Sequence, residues 1–146
     1  SNGVHVWIDD LPAMYRAIHR AMKPGSTYIL YEIHPFQRPF DGKNLEQLTV
    51  VKPYDATGPF ESDTEVTFGW RIQDILNAML DAGLTLRHME EMRAEVNYDD
   101  PDWISCEQKL RERGRVYDRA QIDRMYDWRM NPMAALPHWL SMAAVK

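Results

Sequence analysis

Two short stretches concentrate side chains able to bind or to move a proton: Ser1-Asn2-Gly3-Val4-His5 and Glu32-Ile33-His34-Pro35-Phe36. An imidazole takes up or releases a proton near neutrality, and a neighbouring carboxylate can orient it, so His5, His34 and Glu32 have the types that general acid–base chemistry uses. Each also has a plainer reading. His34, biased toward extended geometry by Pro35, could end a strand and bond to backbone. His5, flanked by apolar and aromatic residues, could be a packed histidine. Glu32 could pair with a neighbouring arginine, and Asn2-Gly3 is an ordinary turn dipeptide. The five histidines and Cys106 include no pair at the helix-face or finger spacing of a metal site, so no metal is expected. The basic residues Lys109, Arg111, Arg113, Arg115 and Arg119 alternate with Glu107, Glu112 and Asp118, which reads as a solvated, self-neutralising surface rather than a phosphate clamp.

The elements that must position these residues follow from the apolar pattern. The opening octapeptide Ser1-Asn2-Gly3-Val4-His5-Val6-Trp7-Ile8 is a dense apolar run that an exposed terminus does not favour, and it reads as the tail of a buried strand, with its sheet neighbours expected upstream. Asp10 can cap a helix with Pro12 in its first turn; Leu11, Met14, Tyr15, Ile18 and Met22 form its apolar face, and Lys23-Pro24-Gly25 stops it. Thr27 to Ile33 reads as a strand buried on both faces of a parallel sheet. Residues 37–69, rich in proline and glycine, read as a long irregular loop or lid with a hint of strand at Leu48-Thr49-Val50-Val51. A second helix carries Trp70, Ile72, Ile75, Leu76, Met79 and Leu80 and is capped by Gly83. Leu84 to Glu91 is a further strand, 93–135 a charged surface insertion with a helix near 118–129, and Leu136 to Val145 a terminal strand. This alternation predicts an α/β fold with helices covering a mostly parallel sheet, whose ligands bind beyond the carboxyl ends of the strands.

The chain has 146 residues, which suits one domain. Its 17 Lys and Arg against 22 Asp and Glu give a net charge of −5, which argues against a nucleic-acid or anionic-membrane partner. A single cysteine permits no internal disulfide, and no targeting or membrane-spanning segment is visible, so a cytoplasmic location is expected.

Asn2-Gly3-Val4-His5-Val6-Trp7-Ile8-Asp9-Asp10-Leu11, then Lys23-Pro24-Gly25, Tyr31-Glu32-Ile33-His34-Pro35-Phe36, Asp81-Ala82-Gly83-Leu84 and Leu140-Ser141-Met142-Ala143-Ala144-Val145-Lys146, in that order, resemble the second half of the class I S-adenosylmethionine-dependent methyltransferases. The resemblance implies the C-terminal portion of a Rossmann-like methyltransferase fold over residues 1–146, mostly parallel with an antiparallel last strand. The family's glycine-rich loop and its ribose-binding acidic residue have no counterpart here. The resemblance further implies S-adenosyl-L-methionine as cofactor, with Ser1, Asn2, Gly3 and Val4 along its methionine end and a small-molecule methyl acceptor facing His5, Glu32, His34 and Phe36. Trp70 would close the pocket, His34 or His5 would serve as base where the acceptor must lose a proton, and Glu32 would orient it. The expected function is direct methyl transfer, with this polypeptide inactive by itself and able to form a homodimer or swapped assembly through exposed flanks. The competing reading is a non-catalytic α/β interaction or scaffolding module.

Overall fold

The computed structural model describes residues 1–42, 46–114 and 118–146; Arg115 and the side chains of Cys106 and Lys109 lie outside the described residues. Helix α1, Leu11–Ala21, starts where expected, with the Asp10 carboxylate accepting from the Ala13 amide at 2.8 Å. It buries Leu11 and Tyr15 and ends under the Lys146 ammonium, which donates to the carbonyls of His19 (2.6 Å) and Met22 (2.9 Å), where a cation complements the helix dipole. Strand β1 spans Thr27–Ile33, as its β-branched and aromatic run predicts.

The long segment that follows holds two short strands, β2 (Phe60–Glu61) and β3 (Val66–Thr67), paired as a hairpin. The strand hinted at Leu48 to Val51 amounts to one bridge, Phe40 to Val50. Helix α2, Ile72–Asp81, begins after Trp70, where the Asp74 carboxylate accepts both the backbone amide and the guanidinium of Arg71. Gly83 takes a φ of +91° to turn the chain into β4, Thr85–Met92. Helix α3, Pro101–Glu112, escapes the periodicity reading because five of its twelve residues are charged and its few apolar ones mark no clear face; Pro101 in its first turn is the signal that was there. Helix α4, Arg119–Tyr126, lies within the range expected for it, and β5, Trp139–Val145, closes the chain. The basic cluster neutralises itself in part, with Arg111 and Arg119 both on the Glu107 carboxylate at 3.0 and 2.8 Å.

The last strand is antiparallel, as expected, but the mostly parallel pairing expected of the rest of the sheet is not found among the described strands. The order is β1-β5-β4, and β5 runs antiparallel to both neighbours, opposing Leu30 with Met142 on one side and Met89 with Met142 on the other. Because the last strand inserts between β1 and β4, those two point the same way without touching. Parallel pairing survives among the described residues as the Asn2–Tyr31 bridge, with Gly3 N–H donating to Tyr31 O at 3.0 Å and Tyr31 N–H to Ser1 O at 2.9 Å.

The opening run is also not a continued strand. Gly3, at φ +62°, swings the chain off the sheet and His5–Trp7 forms a 3-10 turn. The physical reason is the Glu32 carboxylate, which captures the Val4 and His5 amides that a ladder would have used. Nor is β1 buried on both faces. Leu30 and Glu32 point inward, while Ile29 is 60% and Ile33 46% exposed. The core lies on the inward face, where Leu11 and Tyr15 of α1 and Ile75, Ala78 and Met79 of α2 meet Leu30, Leu140, Met142 and Ala144. No helix among the described residues is long and apolar enough to cross a membrane.

Candidate functional site

The carboxyl end of β1 gathers most of the polar residues picked out in the sequence. Glu32, on the inward face of the strand, is 2% exposed, and one of its oxygens accepts three donors: the Val4 amide at 2.8 Å, the His5 amide at 3.1 Å and His5 Nδ1 at 2.8 Å. A carboxylate can only accept, so His5 donates from Nδ1, and its Nε2 takes the Tyr15 hydroxyl at 2.8 Å. The His5 and Tyr15 rings lie stacked 5.7 Å apart; Tyr28 stands edge-on to Tyr15 and shares a hydrogen bond with the Ser1 hydroxyl. The result is a buried chain of hydrogen bonds from Glu32 through His5 to Tyr15. Burial alone would raise the Glu32 pKa, but the hydrogen bonds from His5 and from the Val4 amide outweigh it and hold the carboxyl below the usual carboxylate range. Burial pushes the Tyr15 hydroxyl far above the ordinary phenol range.

His34 ends β1 and is 2% exposed. Its Nδ1 accepts the Phe36 amide at 3.2 Å, so the ring proton sits on Nε2, which donates to the Glu91 carboxylate of β4 at 2.8 Å. The backbone of His34 donates to the carbonyl of His138 at 2.8 Å, and His138 in turn donates to the Met92 carbonyl at 2.7 Å. His138 therefore stands at the same edge, just before β5. Unlike His5 and His34, it has no hydrogen bond to either ring nitrogen among the described residues, and burial lowers its pKa.

Beside His138 opens a cavity of about 250 Å³ between the turn after β1 (Gln37) and the segment from α4 to β5 (Met125, Asn131, Met133, Leu136). On the loop side, Phe36 packs edge-to-face against Phe40 and Tyr54 with its own ring part-exposed, while Lys52 lies 3.6 Å from the Phe60 ring centroid. Burial pulls the Arg38 guanidinium below its ordinary range, the Glu32 charge opposing this, and its Nε is sealed from solvent without a hydrogen-bond partner among the described residues.

The expected residues are thus distributed unevenly. His5 and Glu32 are brought into direct contact, and His34 lies two residues along the same strand end but pairs with Glu91. Trp70 stacks on Phe68, donates its indole N–H to the Ile8 carbonyl at 2.8 Å and packs against the core, fastening the long loop to the opening segment. Ser1, Asn2, Gly3 and Val4 run along the edge of β1, where the Gly3 and Val4 amides and the Ser1 hydroxyl are engaged within the protein. The Asn2 side chain is exposed, and no atom lies within 4 Å of where a Gly3 Cβ would stand, so a ligand can approach the backbone there. Tyr15, Glu91 and His138 were missed. Tyr15 falls on the apolar stripe of α1 and Glu91 in an alternating strand, so neither carries a local signal; His138, between a proline and a tryptophan at a strand start, could have been flagged by the reasoning that found His34.

No family model matches the sequence, and no curated protein matches it. Solved structures do. The whole chain superposes on 60% of an S-adenosylmethionine-dependent methyltransferase from Mesorhizobium loti, with a TM-score of 0.58 and 18% identity. It superposes likewise on 59% of a protein from Listeria monocytogenes assigned to the same class, with a TM-score of 0.61 and 14% identity. The chain therefore spans about three-fifths of the length of these structures and has a class I methyltransferase-like α/β fold.

Proposed function

We propose that this chain is the acceptor-side part of an S-adenosylmethionine-dependent methyltransferase acting on a small molecule. The observation that carries the reading is that the strand end which collects Asn2, Glu32 and His34 is bonded through the His34 backbone to His138, which lines the neighbouring cavity with Gln37, in a chain whose fold is like that of such enzymes. When bound, the cofactor supplies a methyl group already activated on a sulfonium, so the protein has chiefly to hold the reactants in line and to keep water away.

In this reading Asn2 turns its exposed carboxamide toward the methionine end, the open space at Gly3 admits the ligand, and Ser1 and Val4 complete that edge. Glu32 and His5 act by position: both ring nitrogens of His5 are engaged in the interior, so the pair fixes the segment that carries Asn2 and Gly3. Releasing Glu91, which at 47% exposure can turn into solvent at little cost, frees the His34 Nε2–H as a donor to the acceptor, whereas His34 serves as base only when Nδ1 gives up the Phe36 amide. Phe36, with Phe40 and Tyr54, offers the acceptor an aromatic wall, and Trp70 anchors the loop that carries it.

The residues present account for one side of a cofactor, so the chain by itself is read as inactive. Calorimetric titration with S-adenosylhomocysteine tests the assignment on this 146-residue chain and on the product of its complete open reading frame. Binding confined to the complete product is expected. Absence of binding to both would replace the enzyme reading with that of a non-catalytic interaction module.

A further inference from the structure

We propose that the cavity bounded by Gln37, Met125, Met133 and Leu136 is a binding site for a small, neutral, mainly apolar molecule bearing one hydroxyl group, which His138 grips by a hydrogen bond. The walls argue for the ligand's character. Among the described residues no charged side chain lines the cavity, so an ion brought into it would lose hydration without finding a partner there. Two methionines form part of the lining, and their flexible thioethers adapt to differently shaped apolar ligands. An apolar cavity of about 150 Å³ admits benzene. At about 250 Å³, this one has room for a substituted ring.

The polar side chains of the lining are Gln37, Tyr126, Asn131 and His138. The Tyr126 hydroxyl, like the His138 ring, has no hydrogen bond among the described residues, so it is the loss of the phenol preference in His138→Leu that assigns the hydroxyl to His138. Asn131 is spent on the chain itself, donating to Met125 O at 2.6 Å and accepting from the Met133 amide at 3.1 Å, and Gln37 donates its side-chain N–H to Pro137 O at 3.0 Å. The His138 ring is different. It stands edge-on to Trp139 with centroids 4.6 Å apart, has no hydrogen bond among the described residues, and presents one donor and one acceptor nitrogen, which is what a hydroxyl can match from either side. Its main chain is pinned on both sides, to His34 and to Met92, so the ring is delivered from a fixed strand end rather than a loose loop. Identification of the ligand as the methyl acceptor rests on the function proposed above; the site itself does not.

Phenol and toluene, which differ by the hydroxyl, are the probes, read by the methyl signals of Met125 and Met133 in a 13C-methionine-labelled sample of the chain. Phenol is expected to shift both signals saturably and to bind about fivefold to tenfold more tightly than toluene, the value of one hydrogen bond. In His138→Leu toluene should bind as before and the preference should vanish. Absence of saturable shifts at Met125 and Met133, or a phenol preference that survives His138→Leu, overturns the proposal. If His138→Leu loses toluene as well, His138→Gln decides: a retained preference for phenol supports the site and equal binding overturns it. Failure of phenol to bind alongside successful S-adenosylhomocysteine binding sinks the pocket and leaves the methyl-transfer reading intact.

Discussion

Replacing Glu32 by alanine tests the idea that one carboxylate oxygen organises the whole edge. The substitution strands three donors, the Val4 amide, the His5 amide and His5 Nδ1, in a place where Glu32 and His5 are 2% and 1% exposed. An orphaned buried donor costs about 1–3 kcal/mol. Since all three share one acceptor, their losses are not independent, and about 3–5 kcal/mol is expected rather than the full sum. Glu32→Gln keeps an acceptor oxygen but not the charge, so roughly half of that loss is expected, charge-assisted bonds being about twice as strong as neutral ones. Urea denaturation followed by circular dichroism measures the totals, and hydrogen exchange at the Val4 and His5 amides measures the local part, which should accelerate about a hundredfold for each ~3 kcal/mol lost. The pH dependence has a definite sign. The folded carboxyl titrates below its unfolded value, so its contribution is complete above the ordinary carboxylate range and fades as pH falls through the lower, folded value; this component should be absent from Glu32→Gln. A loss below about 1 kcal/mol in Glu32→Ala, with unchanged amide protection at Val4 and His5, would refute the reasoning.

Two further outcomes are expected. Lys146→Met removes the cation bonded to the last carbonyls of α1 at 2.6 and 2.9 Å, and should cost about 1 kcal/mol, or roughly 3 °C in thermal denaturation, with a smaller penalty in high salt. Ile29→Lys with Ile33→Lys charges the exposed face of β1 and should lower the self-association read by light scattering; a monodisperse monomer of the unaltered chain at high concentration rules out the homodimer or swapped assembly.

Local chemistry explains what could be read in advance. Asp10, Pro12 and Lys23-Pro24-Gly25 bound α1 because caps and stops act within one turn, and Thr27 to Ile33 is continuous enough to read as a strand at its observed limits. The opening run misleads because its apolar residues satisfy a strand pattern while its amides are captured by Glu32, a partner 27 or 28 residues away that no window can see. The parallel sheet fails for a related reason: direction of pairing depends on where β5 inserts, and its sequence is equally suited to an edge or to a centre. At the site, residue types were legible and pairings were not. His5, His34 and Glu32 were all selected, yet which histidine meets Glu32 is decided by the 3-10 turn at His5–Trp7, and Glu91 reaches His34 only because β4 and β1 flank the same strand.

The three histidines of this edge show why residue type is a poor guide to role. His5 has both nitrogens satisfied inside the core, donating to Glu32 and accepting from Tyr15, so neither is open to a ligand. His34 is equally buried but tied to a carboxylate that water can reach, so its hydrogen bond can exchange without opening the fold. His138 has a pinned backbone and a ring with no hydrogen bond among the described residues. The order of increasing freedom is His5, His34, His138, and only a side chain with an uncommitted nitrogen can meet a ligand without first dismantling the structure that holds it. Substitution at His5 should accordingly read out as lost stability and substitution at His138 as lost ligand discrimination, although the two imidazoles are the same chemical group.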